Sequence, residues 1–358
     1  MSKTKWGPKL FNSILPVLLA FGIGAIVMLM IGQNPLEAYR IMLGKSLFTE
    51  KGFLNTLHYA APLVLTGLAI AVTFKANIFN MGVEGQLLFG GFFAGIVGAY
   101  LPVADPLLHK LLCFGVGMLC GVAFAMVPAL LKAYFHVDEM VVTLTLNYAM
   151  AKVLEYLATG PFREAGSGYV CTPTVLDSAM FYRLGNSRIT SFTFVALAIF
   201  LAMWFVMRRT KLGYEITAIG RNPEFAEATG VRVHRKILLL MAISGALSGI
   251  AGTGFMLSEK FKYTLTFSGN PGLGWDGMLI ALLGRHSPAG ILIAAVFYSA
   301  LKTGADNINM YTTVPKEIVA VIQSVMILFL AVQFLNERFG LLDRLKARRE
   351  VEMDATAR

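Results

Sequence analysis

The sequence predicts an all-α, polytopic membrane helix bundle of about ten transmembrane helices, some of them discontinuous, with both termini cytoplasmic. Three observations carry that prediction. Of 358 residues, 56% are hydrophobic and only 15% charged, and a mean hydropathy of +0.65 exceeds what a soluble core of this size can bury. The apolar residues are gathered into long uncharged runs, where a hydrocarbon layer about 30 Å thick needs about 20 helical residues. Those runs are apolar on every face, without the alternation a lipid-exposed β-barrel shows.

Residues 10–32 supply the first span without a charge. Lys3, Lys5 and Lys9 precede it, as in a signal peptide, but the run is too long and no small-x-small cleavage pattern follows. Further runs occupy 52–74, 85–101, 107–131, 141–159, 189–207 and 237–258. The run at 275–283 is short and breaks at Gly284-Arg285-His286-Ser287-Pro288, 289–301 follows, and 314–335 is long again. The two interrupted segments resemble the discontinuous helices that place binding groups near the bilayer midplane, two tilted helices being the simpler alternative.

Lys and Arg collect at the N-terminus, in 207–236 (Arg208, Arg209, Lys211, Arg221, Arg232, Arg235, Lys236) and after Arg338. Ten spans put all three groups on the cytoplasmic side. Residues 1–340 are therefore expected to be one transmembrane domain with a cytoplasmic loop at 208–236, and 341–358 a basic cytoplasmic tail. The formal charge of +10 reads as orientation and contact with anionic membrane lipid, and no nucleic-acid site is indicated. Cys113, Cys120 and Cys171 form no CxxC and no cluster with histidine, so no metal site is expected.

Two polar stretches interrupt this pattern. In FKANIFNMGVEGQLLFGG, 74–91, two asparagines, a glutamate and a glutamine stand between spans, and Gly82 and Gly85 flank Glu84. Non-helical backbone at membrane depth needs protein or a watery cavity around it, so this stretch reads as a helix break beside a solute path, an ordinary headgroup-level loop being the alternative. In the loop 210–236, Asn222-Pro223 reads as a helix start and Gly230 as its stop. Glu224 and Glu227 would sit at the positive end of a short helix 223–229, a surface suited to docking a protein, since acids repel anionic lipid.

NIFNMGVEGQLLFGG together with AIGRNPEFAEATGV resembles the permease subunits of bacterial ABC importers, in the branch that takes up simple sugars, branched-chain amino acids and nucleosides. The stretches 34–86 and 137–150 look most like the nucleoside-uptake members, which work with a lipid-anchored extracytoplasmic binding protein. The resemblance implies a multi-pass protein of the bacterial cytoplasmic (inner) membrane that transports rather than catalyses. It implies a partner ATPase that uses ATP and Mg, and no cofactor on this chain, which has no GxxxxGK[ST] loop of its own. It also implies a second, related permease, a heterodimer more than a homodimer. The ATPase-contacting E-A-A-x-x-x-G pattern corresponds to Glu224, Ala226 and Gly230, with Phe225 replacing the first alanine. Arg221, Asn222, Pro223 and Ala228 complete the expected coupling segment. For an uncharged nucleoside, or alternatively a sugar such as ribose, the spans offer Asn77, Asn80, Glu84, Gln86, Asn147, Tyr148, Trp275 and Asp276 as pathway residues. Asn147 equally suits an inter-helix hydrogen bond, and Asp276 equally suits an N-cap.

Two rival classes fit less well. An ion-coupled secondary transporter needs embedded acids or histidines as relays, and the five histidines fall near predicted span ends. An intramembrane enzyme needs a constellation such as HExxH or GxSxG, which is absent.

Overall fold

The computed structural model describes residues 6–265, 271–311, 315 and 317–339. Among them its regular structure is helical, with a non-helical segment at 160–190, two isolated bridges and no strand. Thirteen α-helices follow in order: α1 Trp6–Met30, α2 Pro35–Leu47, α3 Glu50–Phe74, α4 Val83–Tyr100, α5 Pro106–Phe135, α6 Glu139–Thr159 and α7 Ser191–Arg209. After these come α8 Lys211–Arg221, α9 Pro223–Ala228, α10 Val233–Phe255, α11 Leu273–Leu283, α12 Pro288–Tyr311 and α13 Glu317–Phe339. A π-helical turn, Met256–Lys260, continues α10.

Every predicted apolar run is helical over most of its described length, and six helices among the described residues are long and apolar enough to cross a membrane. The shorter apolar stretches Val17–Met30, Leu273–Leu283 and Glu317–Met326 add to these. The count of about ten therefore rests on sequence. Two helices were not anticipated, α2 and α8, because Glu37, Arg40 and Lys45 in one and Lys211, Glu215 and Arg221 in the other remove them from any hydropathy scan. The basic tail 341–358 lies outside the described residues.

The described residues fall into two compact units, one drawn from 1–45 and 304–358 and one from 46–303. In the first, α1 packs on α13: Gly24 stands where a Cβ would lie 2.7 Å from Ile322. The Tyr39 hydroxyl donates to the Phe21 carbonyl at 2.6 Å, and Lys45 lies 5.0 Å from the Tyr311 ring centroid.

In the second unit α10 is the hub, packed on α5, α4 and α3, with α11 against α3. The hub closes backbone to backbone. A Cβ on Gly121 would lie 2.2 Å from the Gly245 carbonyl oxygen, and one on Gly249 would lie 2.1 Å from that of Gly117. Lipid provides no hydrophobic drive between helices, so such close van der Waals approach is what holds them. Hydroxyls on α10 bond to their own helix, Ser248 to the Ser244 carbonyl at 2.7 Å and Thr253 to that of Gly249 at 2.9 Å, so neither buried hydroxyl lacks a partner. Burial follows position: 89% of the apolar window of α3 is buried and only 22% of that of α7.

Candidate functional site

The break after α3 is built locally. Lys75 caps the helix, Asn77 adopts a left-handed φ of 62°, and Asn is one of the few side chains that tolerates this. Burial, then the Arg208 guanidinium, pull Lys75 below the usual lysine range. His286 packs its ring 5.7 Å from that of Phe74, and burial, reinforced by Arg285 and Lys75, holds its pKa down at about 4.

From Phe79 to Gln86 the polar groups turn inward. The Asn80 amide donates to Gln86 at 3.3 Å and to the Ser244 hydroxyl at 2.9 Å. Its oxygen accepts from the Gly82 N–H at 3.0 Å and from Gln86 Nε2 at 3.1 Å. Three groups on α6 bind the unwound backbone. Glu139 accepts from the Phe79 N–H at 3.0 Å, Thr143 from that of Met81 at 3.1 Å, and Asn147 from that of Gly85 at 2.9 Å while donating to the Met81 carbonyl at 2.7 Å. Lys132 pairs with Glu139 at 2.7 Å. Buried backbone polar groups must find partners, and here side chains supply them where the helix does not.

Glu84 reaches furthest. Its carboxylate accepts from the Gly272 N–H at 3.1 Å and from that of Gly274, so it caps α11 from another helix at the positive end of the dipole. This corrects the N-cap alternative for Asp276. The cap residue is Gly272, and Asp276 lies one turn inside, its N–H already bonded to the Gly272 carbonyl at 2.7 Å. The Asp276 carboxylate instead accepts from the Tyr298 hydroxyl, with Lys302 at 4.0 Å.

The structure thus brings together Asn80, Glu84, Gln86 and Asn147, all buried, and through Glu84 the start of α11 with half-buried Trp275 and Asp276. It does not bring Asn77 or Tyr148 to them: Asn77 is exposed on the turn, and Tyr148 is 70% exposed on α6. Ser244, Thr143, Tyr298 and Lys302 were not singled out from sequence, and Glu139 reads there only as a helix-start charge. Lys152 pairs with Glu155 at 2.9 Å on the exposed side of α6, and Asp138 caps that helix through the Met140 and Val141 N–H groups.

The second polar stretch turns outward. Asn222 caps α9, accepting from the Phe225 N–H at 2.9 Å, and Gly230 ends it with a φ of 89°, as the spacing predicts. Ala226 is fully buried, while Arg221, Asn222, Pro223, Glu224, Ala228 and Gly230 are exposed and Phe225 is 65% exposed. α9 is carried by α8, where buried Glu215 binds Lys236 at 2.7 Å. α8 in turn meets the polar turn backbone to backbone, since a Cβ on Gly220 would lie 2.0 Å from the Lys75 carbonyl oxygen.

A family model described as the permease component of branched-chain amino acid transport systems matches residues 52–331. The chain belongs to this permease family. Among similar proteins, the nucleoside ABC transporter permease protein NupB of Lactococcus lactis is 32% identical to the permease over 340 residues, 92% of each chain. The guanosine ABC transporter permease protein NupP of Bacillus subtilis is 31% identical over 322 residues, covering 89% of the permease and 92% of that protein. The glucose ABC transporter permease protein TsgB13 of Haloferax volcanii is 30% identical over 337 residues, covering 91% and 88% respectively. No solved structure matches the permease. It is an ABC transporter permease and a multi-pass inner-membrane protein, with a transport role.

Proposed function

We propose that this permease forms half of a nucleoside import pathway, working by alternating access that a separate ATPase drives, with α9 as the helix that docks into that ATPase. The observation that carries the docking role is the exposure of Phe225 on a helix whose neighbour Ala226 is fully buried. A large apolar side chain held in water on a capped, anchored helix fits the central anchor of an interface. Gly220 against Lys75 supplies a stiff route from that helix to the turn at 75–86. ATP and Mg belong to the ATPase. A second, related permease chain completes the pore, and a substrate-binding lipoprotein delivers solute at the loop 160–188. The basic loop 208–236 and both termini face the cytoplasm, and 1–340 act as one transmembrane domain.

Support for nucleosides comes from NupB and NupP, two relatives of that stated substrate class aligned over nearly the full length. A sugar permease is the second reading, favoured by TsgB13. ATP-dependent uptake of labelled uridine, guanosine, ribose and glucose into proteoliposomes holding the permease with its co-encoded partners separates the two. Uridine and guanosine are expected to accumulate, and Glu224→Arg is expected to abolish their uptake with the permease still inserted. Accumulation of sugar alone would replace the nucleoside assignment, and uptake driven by an ion gradient without ATP would overturn the coupling scheme.

A further inference from the structure

Outside the buried turn, a second set of polar groups converges from five elements of the 46–303 unit. Gly277 packs on Thr66, where a Cβ would lie 2.5 Å from the threonine hydroxyl oxygen, and His286 packs on Phe74. α11 therefore lies beside the second half of α3, with its N-terminus level with the middle of that helix. Asp276 stands there, held by Tyr298 from α12. One turn further along α12, Lys302 lies 4.0 Å from Asp276 and 6.0 Å from the centroid of the Tyr59 ring. Tyr59 precedes Thr66 by seven residues, about 10 Å along the helix axis. Arg188, from the segment before α7, bonds the Tyr59 hydroxyl and places its guanidinium 5.6 Å from the same ring. Arg188 is also within coulombic reach of Glu259 in the π-helical turn, and Glu259 holds His58 at 3.1 Å.

These groups step from the middle of α3 toward its N-terminal end, with an acid at each end and two cations between them: Asp276, Lys302, Arg188, Glu259. Two carboxylates and two cations leave no net charge along the line, so neither an anion nor a cation is favoured, while donors and acceptors are offered at each step. The line is also reachable, with Asp276 16%, Lys302 40% and Glu259 23% exposed. Ionisable side chains inside a membrane bundle are costly, and those that line a reachable path are a functional-site signal. An aromatic ring set among them adds a stacking surface.

We propose that Asp276, Lys302, Tyr59, Arg188 and Glu259 form a recognition ladder for an uncharged ribonucleoside, with ribose hydroxyls taken by Asp276 and Lys302 and the base laid on Tyr59. This deepens, and rests on, the nucleoside-permease assignment. The buried Asn80–Gln86 cluster then shapes the inner end of the ladder, where Glu84 fixes the start of α11, rather than touching solute itself.

The test is the concentration dependence of ATP-driven uridine uptake by the assembled transporter, with ATPase activity measured alongside. Tyr59→Ala is expected to raise KM about tenfold through the lost stacking face, while Tyr59→Phe stays within about threefold of native because the ring remains. Asp276→Asn, which keeps the bond to Tyr298, is expected to raise KM about tenfold by weakening a charge-assisted bond to the ribose. Unchanged KM in both Tyr59→Ala and Asp276→Asn, with ATPase activity intact, would make the ladder a packing network and overturn the proposal. Native protein that transports glucose but not uridine would sink the substrate assignment instead. In that case the same variants measured with glucose would still decide the ladder, since Asp276→Asn alone should raise KM for a solute without a base.

Discussion

The turn at 77–86 and the helix α9 use the same ingredients, an asparagine, a glutamate, glycines and a phenylalanine, and put them to opposite ends. In the turn, Asn80 is fully buried and every polar atom of its amide is taken by Gln86, Ser244 or the Gly82 N–H. In α9, Asn222 spends its oxygen on a single N-cap bond, and Glu224 and Phe225 face outward. What differs is the second partner. The turn is completed by groups from α6, α10 and the start of α11, whereas α9 completes only itself and leaves its apolar residue open. A polar stretch in a membrane protein is therefore not a site by composition; its unspent groups decide.

That comparison breaks first at Asn80. Asn80→Leu strands the Gln86 amide, the Ser244 hydroxyl and the Gly82 N–H in a dry interior, and an expected loss of about 3 kcal/mol follows from the cost of unpaired buried groups. Thermal unfolding of the purified permease in detergent measures it, and a loss below about 1 kcal/mol would mean that water reaches the cluster. Glu84→Gln is expected to cost less, about 1–2 kcal/mol, because one acceptor oxygen remains for the two α11 N–H groups. Hydrogen exchange at 272–276 should rise in that variant and stay unchanged in α9. Asn222→Ala removes a lone N-cap and is expected to cost about 1 kcal/mol, confined to α9. Phe225→Ala stands at the far end, with stability within about 0.5 kcal/mol of native and uptake reduced at least about tenfold. Lost uptake through lost folding would erase the distinction between the two regions.

Acid offers a separate probe beneath the turn. The folded pKa of His286 is about 4, below the usual histidine value near 6.5. As pH falls through 6.5 the unfolded chain takes up a proton that the folded chain refuses, so stability is full above that pH and declines down to about 4. His286→Asn, which tolerates the positive φ of 52° at this position, is expected to flatten that part of the pH profile of unfolding.

Much of the fold was legible because membrane spans are a property of composition in a single window. The start and stop of α9 were legible for a related reason: Asn222, Pro223 and Gly230 act on backbone no more than three residues away. Glu84 was visible as an anomaly, but its partners are 188 and 190 residues distant, and nothing local to GLGWDGM reveals that another helix caps it. Asp276 therefore reads equally well as a cap or as a pathway residue. α8 was hidden by its own charges, since its polarity reads as loop until Glu215 is seen to be buried against Lys236. The ladder joins five elements with one residue each, and of these only Asp276 stands out in the sequence.

The glycine seam of α10 with α4 and α5 has a consequence for how much each position can vary. Where a single carbon would collide with a neighbouring carbonyl, as at Gly121, Gly245 and Gly249, the permitted alphabet shrinks to one letter. On α7, where Phe194, Leu197 and Phe205 are open, almost any apolar letter serves. In a saturation library selected for uptake, the information content of this chain should therefore concentrate in residues with no side chain at all.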